Sequence, residues 1–111
     1  MAEARRPRSA GSTSVHEARR AFRAALLEPG GEFIATKHFT QQMASRRFDM
    51  NDVVQIARTG RIPNPPEYDR SHGEWKWRIE DRAVDGRIVY VVFSLLGDKQ
   101  VQGITIVAPW R

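Results

Sequence analysis

The 111-residue chain contains no cysteine. Without thiols it has no disulfide framework, no thiolate metal site and no cysteine nucleophile. No apolar run approaches the roughly 20 residues that span a bilayer, and the segment before Ser14 lacks the hydrophobic stretch of a secretory signal. We therefore expect one small cytoplasmic domain, because a chain of this length supports a single modest core.

Standard catalytic signatures are also missing. The sequence has no P-loop and no HExxH, GxSxG or GxGxxG motif. The three histidines, His16, His38 and His72, are scattered, and none pairs with another at the spacing of metal ligands. We therefore expect neither a metal ion nor a cofactor.

What the chain has in excess is positive charge, with 18 Lys and Arg against 13 Asp and Glu and a formal net charge of +5. Residues 1–31 carry six Arg against three acids, and residues 32–111 carry twelve basic residues against ten acids. Such a balance suits a polyanionic partner such as RNA. The alternative is that an Arg-rich arm at residues 1–13 inflates the total.

The first half of the chain predicts three helices behind that arm, which has the composition of a disordered segment. Each helix has a predicted capping residue at its start: Ser14, Thr36 and Asp49. Pro29-Gly30-Gly31 ends the first helix, the second runs to about Arg47, and Gly60 closes the third in the left-handed conformation. Residues 32–35 form a short strand or an extended connector.

The second half predicts an antiparallel sheet. Its strands are Trp75–Ile79, Ile88–Phe93 and Val101–Val107. Asp85-Gly86 predicts a type I′ hairpin, and the second strand, apolar on both faces, is expected at the centre. The predicted fold class is α+β, with N-terminal helices packed on a C-terminal antiparallel sheet of three to four strands in one domain, residues 14–111.

Candidate site residues lie on the second helix and the first strand. His38, Gln42 and Arg46 recur every four residues and therefore share one helix face. Lys76 and Arg78 are two residues apart on a strand and point the same way. If the helix crosses that end of the sheet, these cations would hold a phosphate and favour the charge that develops during attack by a ribose 2′-hydroxyl. The imidazole would act as general acid or base.

Aromatic and hydroxyl side chains extend this candidate set. Thr105 or Tyr90 would add a hydroxyl hydrogen bond. Trp75 and Trp77 fit the core better than a base-stacking platform because they alternate with charged residues, whereas Trp110 is the better stacking candidate. Each group also has a structural explanation, in which the imidazole is a surface residue and the strand cations form a solvated face.

The run His38-Phe39-Thr40-Gln41-Gln42-Met43-Ala44-Ser45-Arg46-Arg47-Phe48, followed by Asp52-Val53-Val54, resembles the helical motif of an uncharacterised bacterial domain family. Gly86-Arg87-Ile88 and Ile104-Thr105-Ile106-Val107 resemble its hairpin arm and closing strand. The similarity covers residues 32–108. The family is grouped with RelE-like and MqsR-like messenger-RNA interferases and with the wider barnase–EndoU–colicin–RelE ribonucleases.

The resemblance implies a metal-independent endoribonuclease that cleaves RNA by 2′-hydroxyl attack, in a toxin–antitoxin pair or a toxin module. His38, Arg46 and Thr105 match its motif positions, and an acidic antitoxin or immunity protein would be the partner. Gln42 stands where the family commonly has Arg, so Lys76 or Arg78 would have to compensate. Two alternatives stay open: a non-catalytic module that binds RNA or an acidic protein, and a structural or regulatory protein without a nucleic-acid role.

Overall fold

The computed structural model describes residues 13–82 and 86–109. Its helices are α1 (Val15–Leu27), α2 (Lys37–Arg46) and α3 (Met50–Thr59). Its strands are β1 (Glu32–Ala35), β2 (Glu67–Asp69), β3 (Glu74–Arg82), β4 (Ile88–Gly97) and β5 (Gln100–Val107). The predicted α+β class is confirmed, although the sheet has five strands. Residues 1–12 of the predicted arm, Asp85 of the predicted hairpin and Trp110 lie outside the described residues.

All three predicted helix caps are present. Ser14 Oγ accepts a hydrogen bond from Glu17 N at 3.0 Å, and the Glu17 carboxylate accepts one from Ser14 N at 2.9 Å. Thr36 Oγ1 accepts from Phe39 N at 3.0 Å. Asp49 forms a second capping box with the residue three positions later. Local sequence therefore determines where each helix begins, because these side chains satisfy otherwise unpaired backbone N–H groups.

Gly60 ends α3, but the predicted left-handed conformation is wrong: its backbone is extended, with φ −72° and ψ 164°. The left-handed residue is Arg47, which ends α2 with φ 60°. Position 60 requires glycine because it has no room for a side chain: a Cβ there would overlap Ile56 O and lie 3.0 Å from Glu80 O. Arg19 Nε donates to Gly60 O at 2.7 Å and closes the same junction.

The strand order is β1-β5-β4-β3-β2. Strands β3, β4 and β5 form the predicted antiparallel meander with β4 at the centre. The two additional strands lie at the edges: β2 pairs antiparallel with β3, and β1 pairs parallel with β5. The mixed sheet therefore joins the first strand of the chain to the last.

The register of β3 against β4 keeps the inward side chains on one face. Ile79 lies opposite Val91, both fully buried, and a shift of one residue would turn every inward side chain outward. The ladder is described as far as the pairing of Arg82 with Ile88.

The core lies between the helices and one face of the sheet. Its largest fully buried side chains are Trp77, Phe22, Phe39, Phe93, Ile56, Ile79 and Ile106. Trp75 packs against this cluster, as predicted. We call the opposite side the outer face; it carries the alternate residues Lys76, Arg78, Tyr90, Val92 and Thr105, which are half-buried or exposed. None of the described helices is both long and apolar enough to cross a membrane.

Candidate active site

A β-bulge in β5 determines where Thr105 points. Phe93 pairs with Gly103, whereas the preceding residue, Val92, pairs with Thr105, so Ile104 is the extra residue. In a regular strand Gly103 and Thr105 would face the same side. The bulge leaves Gly103 on the core face and turns Thr105 to the outer face. Bulges of this kind are common beside active sites, where they redirect a side chain.

Helix α2 is fastened to β5 at this bulge. Thr36 N donates to Gly103 O at 3.0 Å, and Thr36 Oγ1 donates to Ile104 O at 3.2 Å. Phe39 then enters the core, where its ring meets Phe33 at a centroid distance of 5.3 Å. The same side chains that start α2 therefore fix its first turn against the strand that carries Thr105.

His38 lies in this first turn, and its Nε2 is 3.2 Å from Thr105 Oγ1. The imidazole is exposed. A threonine hydroxyl can donate to an unprotonated ring nitrogen or accept from a protonated one, so the contact suits either state of His38. Two residues that are 67 positions apart in the chain thus meet as a potential proton-transfer pair.

Gln42 and Arg46 continue the predicted stripe along α2 and contact each other. Arg46 Nε donates to Gln42 Oε1 at 2.8 Å, and Arg46 Nη1 donates to Ala108 O at 3.5 Å. The guanidinium therefore braces the end of α2 against the residue that follows β5. Gln42 orients Arg46 where the resembled family commonly carries a second arginine.

Lys76 is engaged at the β2 side of the sheet. Its Nζ lies 2.6 Å from Asp69 Oδ2, which also meets His72 Nδ1 at 2.9 Å. The Lys76 hydrogen bond, followed by that of His72, holds the pKa of the Asp69 carboxyl well below its usual range. The charge of Lys76 is therefore paired with the Asp69 carboxylate. Among the described residues no contact joins Lys76 to His38.

Arg78 is placed differently. Its guanidinium carbon lies 3.6 Å from the centroid of the Tyr90 ring, a cation–π contact. Its Nη2 lies 3.7 Å from Glu80 Oε1, and 46% of the side chain is exposed. Within the described part of the chain, no hydrogen bond from this guanidinium is found. Of the three cations proposed for phosphate, Arg78 is thus the one that still offers donors on the outer face.

The predicted site residues therefore lie in separate pairs rather than in one cluster around a phosphate. Thr105 and Arg78 lie in one row of the outer face, each paired with Val92, and two strand spacings amount to about 10 Å. His38 stands at the Thr105 end of this row. Lys76 does not join the His38 group, and Arg46 supports it from within the protein.

Sequence reasoning missed the Asp69–His72 pair. Asp69 Oδ1 accepts from Ser71 N at 2.9 Å, an Asx-type turn that brings the imidazole three residues later onto the carboxylate. The signal was an Asp-x-x-His sequence followed by glycine, next to the strand at Trp75. Within residues 13–82 and 86–109, no group of three or more potential metal-ligating His, Asp or Glu side chains is found.

Comparisons of the chain with models of protein families, with curated protein sequences and with solved structures found no match. A relation to the bacterial ribonuclease group is therefore a proposal that rests on the quoted motifs and on the geometry of the outer face.

Proposed function

We propose that this chain is a metal-independent endoribonuclease of the toxin type, acting on RNA that lies across the outer face. The observation that carries the proposal is the contact between His38 and Thr105, at one end of the row that holds Arg78 on Tyr90. Attack by a ribose 2′-hydroxyl needs a proton acceptor, which His38 supplies. Thr105 holds the imidazole, and Arg78 offers hydrogen-bond donors to the RNA farther along the same row.

In the proposed reaction His38 Nε2 takes the proton of the 2′-hydroxyl. The O2′–phosphorus bond forms as the phosphorus–O5′ bond breaks, and O5′ takes a proton from solvent. The products are a 2′,3′-cyclic phosphate and a 5′-hydroxyl end. Thr105 Oγ1 lies 3.2 Å from this nitrogen and holds the exposed imidazole at the end of the row. The substrate hydroxyl would displace Thr105 Oγ1 from Nε2 before it gives up its proton.

The other candidate residues have supporting roles in this proposal. Arg46 and Gln42 are positioning residues that hold α2 against the end of β5. Arg78 and Tyr90 bind a nucleotide next to the cleaved bond. Lys76 shapes the far edge of the outer face through Asp69. A toxin–antitoxin context, an acidic neutralising partner and a cytoplasmic location complete the proposal and derive from the resemblance.

A second candidate is an RNA-binding module without catalysis. It is favoured by the internal hydrogen bonds of Arg46 and the ion pair of Lys76, which leave the phosphate beside His38 with fewer cations than the sequence suggested. Binding through the outer face would then weaken steeply with salt while the RNA stays intact.

The test incubates purified protein with end-labelled total RNA in EDTA. We expect cleavage by the parent, with 2′,3′-cyclic phosphate ends, and a loss of about 100-fold or more in His38→Ala, as for removal of a general base. Thr105→Val should reduce the rate less. His16→Ala is the matched control, because His16 is also exposed but lies on α1, and it should cleave like the parent.

Full activity of His38→Ala would remove this residue from the mechanism. RNA that stays intact with the parent, together with salt-sensitive retention in a gel-shift assay, would select the binding module instead.

A further inference from the structure

Arg78 differs from the other two candidate cations, Lys76 and Arg46. Lys76 has a carboxylate partner at 2.6 Å, and Arg46 donates to Gln42 and to a backbone oxygen. Arg78 is half exposed, and its nearest carboxylate oxygen, on Glu80, lies at 3.7 Å, beyond hydrogen-bond length. Its planar set of donors therefore faces solvent without a hydrogen bond to any described residue.

We infer that Arg78 recognises a guanine base in single-stranded RNA that lies across the outer face. This inference rests on the proposed function for its RNA ligand, because it assigns a nucleotide preference to the same face.

Tyr90 supports the guanidinium from beneath. Tyr90 pairs across the strands with Glu80, and Arg78, two residues before Glu80 on β3, reaches diagonally over the ring. The ring and the loose Glu80 contact restrict the side chain before any ligand binds. A guanidinium that is already ordered loses less conformational entropy on binding than a free arginine, which favours selective recognition.

Guanine matches this arrangement among the four bases. Its O6 and N7 are two adjacent acceptors that accept a bidentate pair of hydrogen bonds from arginine. Adenine presents a donor beside N7, so one guanidinium N–H would face another N–H group. Uracil has no two adjacent acceptors on either edge. Cytosine has two, O2 and N3, on its Watson–Crick edge alone, so the cytosine strand is the most stringent competitor in the test below. In single-stranded RNA the base edges are accessible, whereas the deep groove of an RNA duplex hides them.

The distance along the sheet places this guanine close to the reacting nucleotide. Arg78 and Thr105 are each paired with Val92, and Thr105 contacts His38. Two strand spacings amount to about 10 Å between the backbones of Arg78 and Thr105. The guanine would therefore belong to the nucleotide whose 2′-hydroxyl meets His38 or to its neighbour.

The test uses 2′-O-methyl octanucleotides, which lack the attacking hydroxyl and stay intact whatever the activity of the protein. Four fluorescein-labelled strands of uridine carry G, A, C or U at the fourth position, and affinity is measured by fluorescence anisotropy. We expect the parent to bind the G strand about 10-fold more tightly than the other three, within the range for a bidentate arginine–guanine contact.

Two substitutions separate base recognition from charge. Arg78→Lys keeps the charge but loses the planar fork, so it should bind all four strands within about twofold of one another. Tyr90→Phe keeps the aromatic ring and should keep the preference for the G strand. Tyr90→Leu removes the ring and should lose that preference. Arg20→Lys, on the exposed side of α1, is the matched control and should retain the parent's preference. Circular dichroism melts confirm that each variant is folded.

Equal binding of the four strands by the parent, no binding at all, or an undiminished G preference in Arg78→Lys would each overturn the inference. A G preference with intact natural RNA would leave it standing and refute the proposed cleavage. Cleavage of natural RNA without any G preference would support the proposed cleavage and refute the role of Arg78.

Discussion

Replacing Gly60 by alanine should destabilise the fold although its backbone angles suit any residue. The added Cβ would overlap Ile56 O and lie 3.0 Å from Glu80 O, and neither backbone oxygen can rotate away. Relief requires the chain to open the Gly60 N to Ile56 O bond at 2.7 Å together with the pair of 2.9 Å bonds between Arg61 and Glu80.

The magnitude follows from those three bonds. Each net hydrogen bond contributes about 0.5–1.5 kcal/mol, so losing all three costs about 1.5–4.5 kcal/mol. Alanine restricts the unfolded chain and returns about 0.4–1 kcal/mol. The net loss is therefore about 0.5–4 kcal/mol, and with about 2.1 cal/mol/K per residue of unfolding entropy the Tm should fall by about 2–17 °C.

Differential scanning calorimetry of Gly60→Ala and two further variants checks this reasoning. Gly97→Ala is the control, because a Cβ there would meet first the flexible end of the Gln100 side chain, at 3.3 Å, and its Tm should stay near the parent's. Gly60→Asn distinguishes the two explanations of the glycine. A left-handed position would tolerate asparagine better than alanine, whereas a crowded one rejects both. A Tm of Gly60→Ala within 2 °C of the parent, by the scale of about 4 °C per kcal/mol, would refute the packing argument.

Two further predictions concern the sheet edge and the start of α2. Asp69→Asn should lower stability at pH 7, where Lys76 and His72 stabilise the ionised carboxyl, and the difference from the parent should begin to shrink as the pH falls below about 4. The sign follows from a pKa lowered by folding, and thermal melts between pH 3 and pH 7 measure it; a difference that grows with acidity would contradict it. Thr36→Ala should lose about 1 kcal/mol for the cap and about 1 kcal/mol for its bond to Ile104 O, measured by urea unfolding. Ser14→Ala should lose the cap alone, and equal losses in the two variants would contradict the second bond.

Much of the fold was predictable because its signals are local. Ser14, Thr36 and Asp49 each satisfy backbone groups within three residues, so the helix starts follow from short stretches of sequence. The alternation at Trp75, Trp77 and Ile79 likewise identified the inward face of β3. Patterns of this kind depend only on neighbours in the chain.

Several features that prediction missed depend on distant partners. Residues 32–35 could not reveal that they pair in parallel with β5, since pairing depends on residues 100–103. The extra residue Ile104 is visible only against the register of β4. The shared helix face of His38 and Arg46 follows from spacing within one helix and was predicted. The ion pair between Lys76 and Asp69 depends on how two strands pair, and it was not predicted.

The parallel pairing of β1 with β5 also orders events during synthesis. Helix α2 follows β1 directly, yet both rest on a strand made some 65 residues later, since Glu32 pairs with Gln100 and His38 contacts Thr105, 67 positions away. A domain generally folds as a unit, and here the unit includes a strand made late in synthesis. Here α1, α2 and α3 can become helical early, but His38 has no partner until β5 is exposed. A nascent chain would thus carry the histidine without the arrangement proposed to make it reactive, and competence would appear late and all at once.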